Sequence, residues 1–234
     1  MKVNNREFIL VDKKEEAENV TSLFFRPTDN LDYTFVAGQY VNITPQSSSG
    51  HGKSYTISSI PSEKLVCLTI KRRGKTSNTI IDYPVGTKVL FDGPYGFFYP
   101  EEEYNEIVMI AGGIGVTPFR SVIKDIVDKK KNTKVTLFYS NQYIKDISFL
   151  NELDEISKNS SQIKVIHCLT QEKTKHPLVN EYSRISEKLL KKQLVTFTGK
   201  SYYICGSIHF VNDFWKLLKD KEVSESDIFT ESFF

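Results

Sequence analysis

The chain is poor in sulfur. Three cysteines and two methionines are spread over 234 residues, and Cys67, Cys168 and Cys205 lie far apart. They cannot supply the four thiolates of an iron–sulfur cluster, and without a CxxC pair no thiolate zinc site is expected. His167, His176 and His209 show no metal-ligand spacing, and His51 stands in a Ser/Gly-rich loop where a solvated side chain is the plain expectation. Charge of one sign is also lacking. The balance of 31 Lys and Arg against 29 Asp and Glu leaves a formal +2, too little to imply nucleic acid or an anionic membrane as partner. No apolar run approaches the ~20 residues of a membrane span. The first residues, MKVNNREFIL, lack a signal-peptide core, so the expected location is cytoplasmic, with reduced thiols. Internal repeats and low-complexity segments are absent.

What is present divides into two rhythms. Hydrophobic residues make up 39% and charged residues 26%, as in a globular protein whose length suits two small domains. Up to Pro100 the pattern is β, at Phe8–Val11, Val20–Arg26, Gln39–Thr44, Ser54–Ser58, Leu65–Lys71 and Lys88–Phe91. Turn-forming residues separate these runs, and a short helix is expected near Ser77–Asp82. Beyond Glu101–Glu103 strands alternate with helices. The strands are Ile107–Ala111, Val135–Ser140, Ile163–Cys168, Tyr202–Cys205 and Ile228–Thr230; the helices are Pro118–Lys130 and, approximately, Ile147–Ile156, Ser186–Gln193 and Phe210–Lys221. The expected fold is two-domain: an antiparallel β-barrel of six strands over residues 1–102, then an α/β domain with a five-stranded parallel sheet over residues 103–234.

The centre of the second half is Ile107–Val122, IVMIAGGIGVTPFRSV. Ile107 to Ala111 form an unbroken apolar run, short enough for a strand buried on both faces. Gly112, Gly113 and Gly115 follow, where bare backbone turns tightly and approaches a ligand. Thr117 as N-cap and Pro118 at the first helical position open a helix whose apolar face is Phe119, Val122, Ile123, Ile126 and Val127. Strand, glycine turn and helix N-terminus in that order suit a phosphate. The plainer alternative is that the glycines only pack helix against strand, and the spacing is not GxGxxG.

In the barrel half, Lys71-Arg72-Arg73-Gly74-Lys75-Thr76-Ser77-Asn78 brings dense positive charge to a glycine turn, with Ser77 placed to cap a short helix. A pyrophosphate fits there, held by backbone N–H groups, a hydroxyl and guanidinium forks; a solvated basic loop is the alternative. Along Lys53–Ser59, Lys53 and Tyr55 share one strand face while Ser54 and Thr56 share the other.

Seven segments in order carry a resemblance across essentially the whole chain: FVAGQY (Phe35–Tyr40), KSYTISS (Lys53–Ser59), IKRRGKTSN (Ile70–Asn78), GPYGFF (Gly93–Phe98), AGGIGVTP (Ala111–Pro118), CGS (Cys205–Ser207) and TESFF (Thr230–Phe234). The chain resembles the ferredoxin–NADP reductase-like family of FAD-dependent NAD(P)H oxidoreductases. The resemblance implies an FAD-binding barrel, a dinucleotide domain, and hydride passing from NADH or NADPH to the flavin. It implies FAD contacts at Lys53, Ser54, Tyr55, Thr56, Ile70, Arg72, Gly74, Thr76, Ser77 and Phe234, with Tyr55 against the ring and Thr56 near its reactive nitrogen. The dinucleotide falls to Gly112, Gly113, Gly115, Thr117, Pro118, Ser140, Cys205 and Gly206. Thr56, Cys205 and Glu231 are the expected catalytic residues, and no metal is implied. Without the resemblance, Cys205 reads as a small buried residue and Glu231 as a surface carboxylate. The family usually has Arg where Lys53 stands, and lysine neutralises a phosphate without forming a bidentate fork.

The resemblance further implies a separate electron acceptor, protein or small molecule, since no fused haem or ferredoxin segment is visible. The competing readings are a flavin reductase that uses free flavin, and a non-catalytic subunit that binds FAD and dinucleotide. Gln142 stands where related reductases often place Arg, and no acidic residue precedes Asp146 in that turn. The expectation leans to NADH. Phe234, or else Phe233, is expected to shield the flavin, at least one of the two being buried.

Overall fold

In a computed structural model that describes residues 5–45, 52–100 and 105–233, the chain folds around two sheets. The first contains β1 (Asn5–Ala17), β2 (Val20–Pro27), β3 (Tyr40–Pro45), β4 (Lys53–Thr56), β5 (Val66–Lys71) and β6 (Lys88–Tyr95), in the order β4-β3-β6-β1-β2-β5. Every pairing is antiparallel. A bridge between Ile57 and Leu68 joins the two edges and closes the barrel. Alternate residues point inward, so Phe8, Leu10, Leu23, Phe25, Val41, Leu68 and Phe91 fill the interior. Phe91 stacks on Phe8 at 4.2 Å and meets Phe25 edge-on at 5.0 Å, contacts that contribute about 0.5–1.5 kcal/mol each beyond burial.

Strand β1 runs well past the expected Phe8–Val11. Its second half pairs Lys13 with Leu23 and Glu15 with Thr21, with register shifts between Leu10 and Asp12 and between Glu15 and Ala17. That stretch is mostly exposed or half-buried on both faces, so its sequence carries no apolar alternation to announce a strand. The short helix α1 (Lys75–Asp82) starts two residues before the expected Ser77.

The second sheet contains β7 (Glu106–Gly112), β8 (Lys134–Asn141), β9 (Ile163–Leu169), β10 (Ser201–Ser207) and β11 (Ile228–Phe233), all parallel, in the order β11-β10-β7-β8-β9. The helices are α2 (Thr117–Asp128), α3 (Leu150–Asn159), α4 (Glu187–Gln193) and α5 (Ile208–Lys219). Ile107, Met109 and Ala111 of β7 pack with Phe119, Val122, Ile123 and Ile126 of α2. Val108 and Ile110 face the other way, onto Leu189, Leu190, Val211, Phe214 and Leu218. Burial on both faces is why β7 reads as an unbroken apolar run. Helix α3 starts later than the expected Ile147, because Phe149 takes a left-handed conformation (φ 61) as its N-cap.

The chain runs from β7 to β8 and β9 on one side, then returns to place β10 and β11 on the other. The order therefore reverses between β7 and β10, and ligands of open α/β sheets bind at the C-terminal ends of the strands at such a point. The expected domain boundary at residues 102 and 103 lies outside the described residues. Among those described, no helix is long and apolar enough to cross a membrane.

Candidate functional site

At the switch point β7 ends in Gly112, and Gly113–Val116 wind into a 3-10 turn that runs straight into α2. This corrects the expected cap. Val116 is the N-cap, Thr117 and Pro118 are already helical, and the Thr117 hydroxyl donates to Ile114 O at 3.1 Å. Gly113 has φ +55, a conformation that side chains rarely adopt. Gly115 is glycine for a different reason. A Cβ there would lie 2.6 Å from the carbonyl carbon of Cys205, so the turn rests on the backbone of β10. Gly112 and Gly206 both face the Phe210 ring, where a Cβ would come within 3.3 Å and 2.8 Å. The expected dinucleotide residues of β7, the turn and β10 thus converge on one edge of the sheet. The positive end of α2 points there too.

Cys205 lies between Ala111 of β7 and Glu231 of β11 in the parallel register. Burial pushes its thiol well above the usual range, and the Glu231 carboxylate adds to that; the group stays a thiol at neutral pH. Glu231 is not the surface carboxylate that sequence alone would make it. Its Oε2 is buried with no hydrogen-bond partner among the described residues, and burial raises its pKa to about 7. Phe233 is half-buried and packs against the core on the α2 side; Phe234 lies outside the described residues, as does His51.

On the barrel side, Lys53 and Ser54 are exposed, and Ser54 Oγ donates to Asn42 Oδ1 at 2.7 Å. Tyr55 packs against the barrel core, and burial, with Tyr83 alongside, pushes its phenol up to about 12. Thr56 is buried opposite Tyr40. The Ile70 side chain points into the barrel, which leaves only its backbone for a ligand. Gly74 is the N-cap of α1, in ordinary extended conformation (φ -172), with nothing within 4 Å of where a Cβ would stand. Neither packing nor backbone angle calls for glycine here, and the bare backbone leaves room for a ligand to approach it. Lys75 and Thr76 are exposed beside it.

One expectation for this loop needs correction. Ser77 does not cap α1. It is the third helical residue, and its Oγ reaches back to accept from Arg73 N at 3.0 Å and Gly74 N at 3.1 Å. Arg72 turns away from Gly74 and pairs with Asp82 Oδ1 at 2.5 Å, a helix length of roughly 12 Å from the N-terminus of α1.

The FVAGQY segment is a brace. Gln39 Nε2 donates to Gly96 O at 3.2 Å, and Ile57 N donates to Gln39 O at 2.9 Å. Ser140 lies opposite Gly112 near the end of β8, and in the turn past that end the single lysine is engaged: Lys145 Nζ lies 2.9 Å from Glu18 Oε2 in the barrel half. Asp146 accepts from Tyr143 N at 3.0 Å. Glu172, from the loop after β9, accepts from Ile144 N at 3.2 Å and from Lys173 N and Thr174 N at 3.0 Å and 3.2 Å. An acidic residue therefore does reach this turn ahead of Asp146, brought there by the fold. Glu172, Tyr83, Arg120 and Ser121 are the residues here that sequence reasoning passed over. Arg120 and Ser121 lie within the Ile107–Val122 stretch but carried no expected role there, and Glu172 and Tyr83 belong to no local motif.

Two family descriptions match in tandem: "Oxidoreductase FAD-binding domain" over residues 7–99 and "Oxidoreductase NAD-binding domain" over residues 109–216. A flavohemoprotein of Oceanobacillus iheyensis is 27% identical over 240 residues, covering 97% of this chain and 59% of that protein. The chain spans about three-fifths of the length of the curated flavohemoproteins it matches. The flavohem-like FAD/NAD-binding domain of a nitric oxide dioxygenase from Vibrio cholerae superposes with a TM-score of 0.84 at 25% identity, covering 97% of this chain and 98% of that one. A ferredoxin–NADP+ reductase from Neisseria gonorrhoeae, solved with FAD and NADP, shares the fold at a TM-score of 0.84 and 20% identity, with 100% of both chains covered. With both halves matched in order and the glycine turn, Cys205 and Glu231 gathered at the switch point, the chain belongs to the ferredoxin–NADP reductase-like family of FAD-dependent NAD(P)H oxidoreductases.

Proposed function

We propose that this oxidoreductase takes hydride from a reduced nicotinamide dinucleotide onto bound FAD and hands the electrons to a separate acceptor, a redox protein or a small molecule. One observation supports the reading most. Helix α2, which begins at the glycine turn, donates from Arg120 Nη1 to Ser58 O at 2.5 Å and from Ser121 Oγ to Ser59 O at 2.6 Å. The segment that follows β4 and the helix that follows the glycine turn are therefore joined directly, which brings the two expected ligand sites to one seam. Bound FAD supplies the chemistry, accepting hydride and releasing electrons singly or in pairs. In this reading Gly112, Gly113, Gly115, Thr117 and Pro118 cradle the dinucleotide pyrophosphate, and Ser140 stands at its adenosine end. Gly74 and Thr76 hold the flavin diphosphate, with Lys53 neutralising charge. Tyr55 and Thr56 orient the ring. Cys205 and Gly206 leave room for the nicotinamide, and Glu231 holds or releases a proton at Oε2 near neutral pH.

The protein is expected to purify yellow, to release FAD on denaturation, and to bleach when a reduced nicotinamide dinucleotide is added without oxygen. Gly74→Ala is expected to weaken FAD binding roughly tenfold while the apoprotein loses only the modest stability of a poorer N-cap, about 1 kcal/mol or less. A protein that stays colourless in excess FAD sinks the reading. One that turns over free flavin without retaining it favours the flavin reductase, an alternative that gains weight from the pairing of Arg72 with Asp82.

We further propose NADH as the donor. A 2′-phosphate needs cations past the second strand of the dinucleotide half, and there Lys145 is paired with Glu18 while Glu172 and Asp146 add negative charge. The ratio of kcat/KM values is expected to favour NADH by more than about tenfold. A tenfold preference for NADPH overturns this.

A further inference from the structure

Arg120 does more than fill the seam between the halves. Its Nε and Nη2 form a fork on Glu152 at 2.7 Å and 2.8 Å, its guanidinium lies 4.6 Å over the Phe149 ring, and its remaining arm reaches Ser58 O. Every group that sets its direction belongs to the α/β half, and the group it reaches belongs to the barrel. On the barrel side the same segment has little slack. Ser58 N and Oγ both donate to Cys67 O, at 2.8 Å and 3.1 Å, and Ser59 Oγ accepts from Cys67 N at 2.9 Å. A buried hydroxyl chain continues from Ser58 Oγ through Thr69 Oγ1 to Ser22 Oγ, each step 2.8 Å. Ser58 and Ser59 are thus held by β5 through the Ser58 N–H and both hydroxyls, and by α2 through their two carbonyls.

The two ends of this linkage matter. Arg120 stands three residues beyond Thr117, within one turn of the end of the glycine turn. Ser58 stands two residues beyond Thr56. Arg120, together with Ser121 and with Lys124, whose Nζ also reaches Glu63 of the barrel half at 2.5 Å, ties the turn that would hold the dinucleotide to the strand end that would hold the flavin. Reaction between two bound rings depends steeply on their separation, since a misplacement of about 1 Å costs on the order of a hundredfold in rate.

We propose that Arg120, assisted by Ser121, is a positioning residue that sets the distance from nicotinamide to flavin. The inference rests on the function proposed above. It assigns Arg120 no contact with either ligand. The rigid fork and the ring beneath it pre-organise the arm that meets Ser58, and Lys124, 3.2 Å from Glu152, keeps that carboxylate paired when the arginine is removed.

The test is Arg120→Met in the FAD-loaded protein, with flavin bleaching followed by stopped flow at saturating NADH. The reduction rate is expected to fall roughly tenfold while the dissociation constants of FAD and NAD+ stay within about twofold. The long-wavelength absorbance of the flavin–nicotinamide stack should weaken in parallel. In the apoprotein, hydrogen exchange at Ile57 N and Ser58 N should accelerate. Arg120→Lys, which keeps the charge without the fork, should recover part of the rate. Ser121→Ala, which removes one hydrogen bond, should show a smaller loss of the same kind, and it decides the matter if Arg120→Met does not fold. A lower melting temperature with wild-type reduction rate per bound flavin overturns the positioning role and leaves the function standing. A wild-type protein that neither NADH nor NADPH reduces overturns both.

Discussion

Gly115→Ala is expected to slow reduction of the flavin by dinucleotide about a hundredfold, the scale set by a misplacement of about 1 Å at a reacting pair. The added methyl group would sit against the carbonyl of Cys205, 2.6 Å from its carbon. Both neighbours there are backbone, so no side chain can swing aside. Either the 3-10 turn lifts off β10 or the end of β10 moves with Cys205 and Gly206. Overpacking of this kind typically costs about 1–3 kcal/mol of stability, which leaves a folded protein to assay. Gly113→Ala is the control. Its φ of +55 makes a side chain strained, yet nothing stands within 4 Å of the new atom. The expected cost is about 1–2 kcal/mol with the geometry of the turn kept. Stopped-flow bleaching and melting temperatures of both variants settle the point. A Gly115→Ala protein reduced as fast as wild type would mean that the turn does not set the dinucleotide's place.

The second large effect is a pair of opposed pH dependences. His167 lies on β9 beside Tyr139, with both ring nitrogens buried and unpartnered among the described residues. Burial lowers its pKa from 6.5 to about 4, so between those values the folded state binds fewer protons than the unfolded chain. Stability is lost as pH falls through that window. Glu231, raised by burial from 4.5 to about 7, acts in the opposite sense. Folding favours its protonated form, and stability is lost as pH rises from 4.5 through 7. Each shift corresponds to about 3 kcal/mol, and between pH 4.5 and 6.5 the two slopes oppose each other. Substitution should expose them singly. Relative to wild type, the Glu231→Gln apoprotein should gain about 3 kcal/mol as pH rises from 4.5 to beyond 7, and His167→Phe a similar amount as pH falls from 6.5 to 4. Urea unfolding at a series of pH values measures both. Differences that do not vary with pH would show that neither group is desolvated as described.

Much of this site is legible in sequence because its turns are built from local chemistry. The apolar run of β7, the three glycines after it and the apolar face of α2 each follow from spacing alone, and they lead to the right strand, turn and helix, except that Val127, expected on that face, is exposed where the last turn of α2 leaves the sheet. The cap differs from the expected Thr117 because Gly113–Val116 wind into 3-10 geometry, which draws Thr117 into the helix. Charge was harder to read. Arg72 and Arg73 stand beside a glycine and suggest a phosphate site, yet a strand end and a helix C-terminus bring Asp82 to Arg72, at 2.5 Å. Glu172 is 26 positions beyond Asp146 and reaches the same turn because β9 lies next to β8. Arg120 meets Ser58 across 62 positions of chain. Contacts of that kind arise from how elements are laid side by side, and no window along the sequence contains both partners.

The two carbonyls at the seam bear on how the molecule comes apart. Ser58 and Ser59 are fully buried, and the partners of their carbonyl oxygens come from α2. If the barrel opened away from the α/β half, both oxygens would lose those partners, beside the strand bridge that closes the barrel. Exchanging each of these bonds for one to water costs about 0.5–1.5 kcal/mol, and here two would be lost together with the packing of the Arg120 arm. Partial unfolding of either half is penalised at the boundary they share. The chain should therefore melt as one cooperative unit, and neither half, released by proteolysis, should keep its own fold intact.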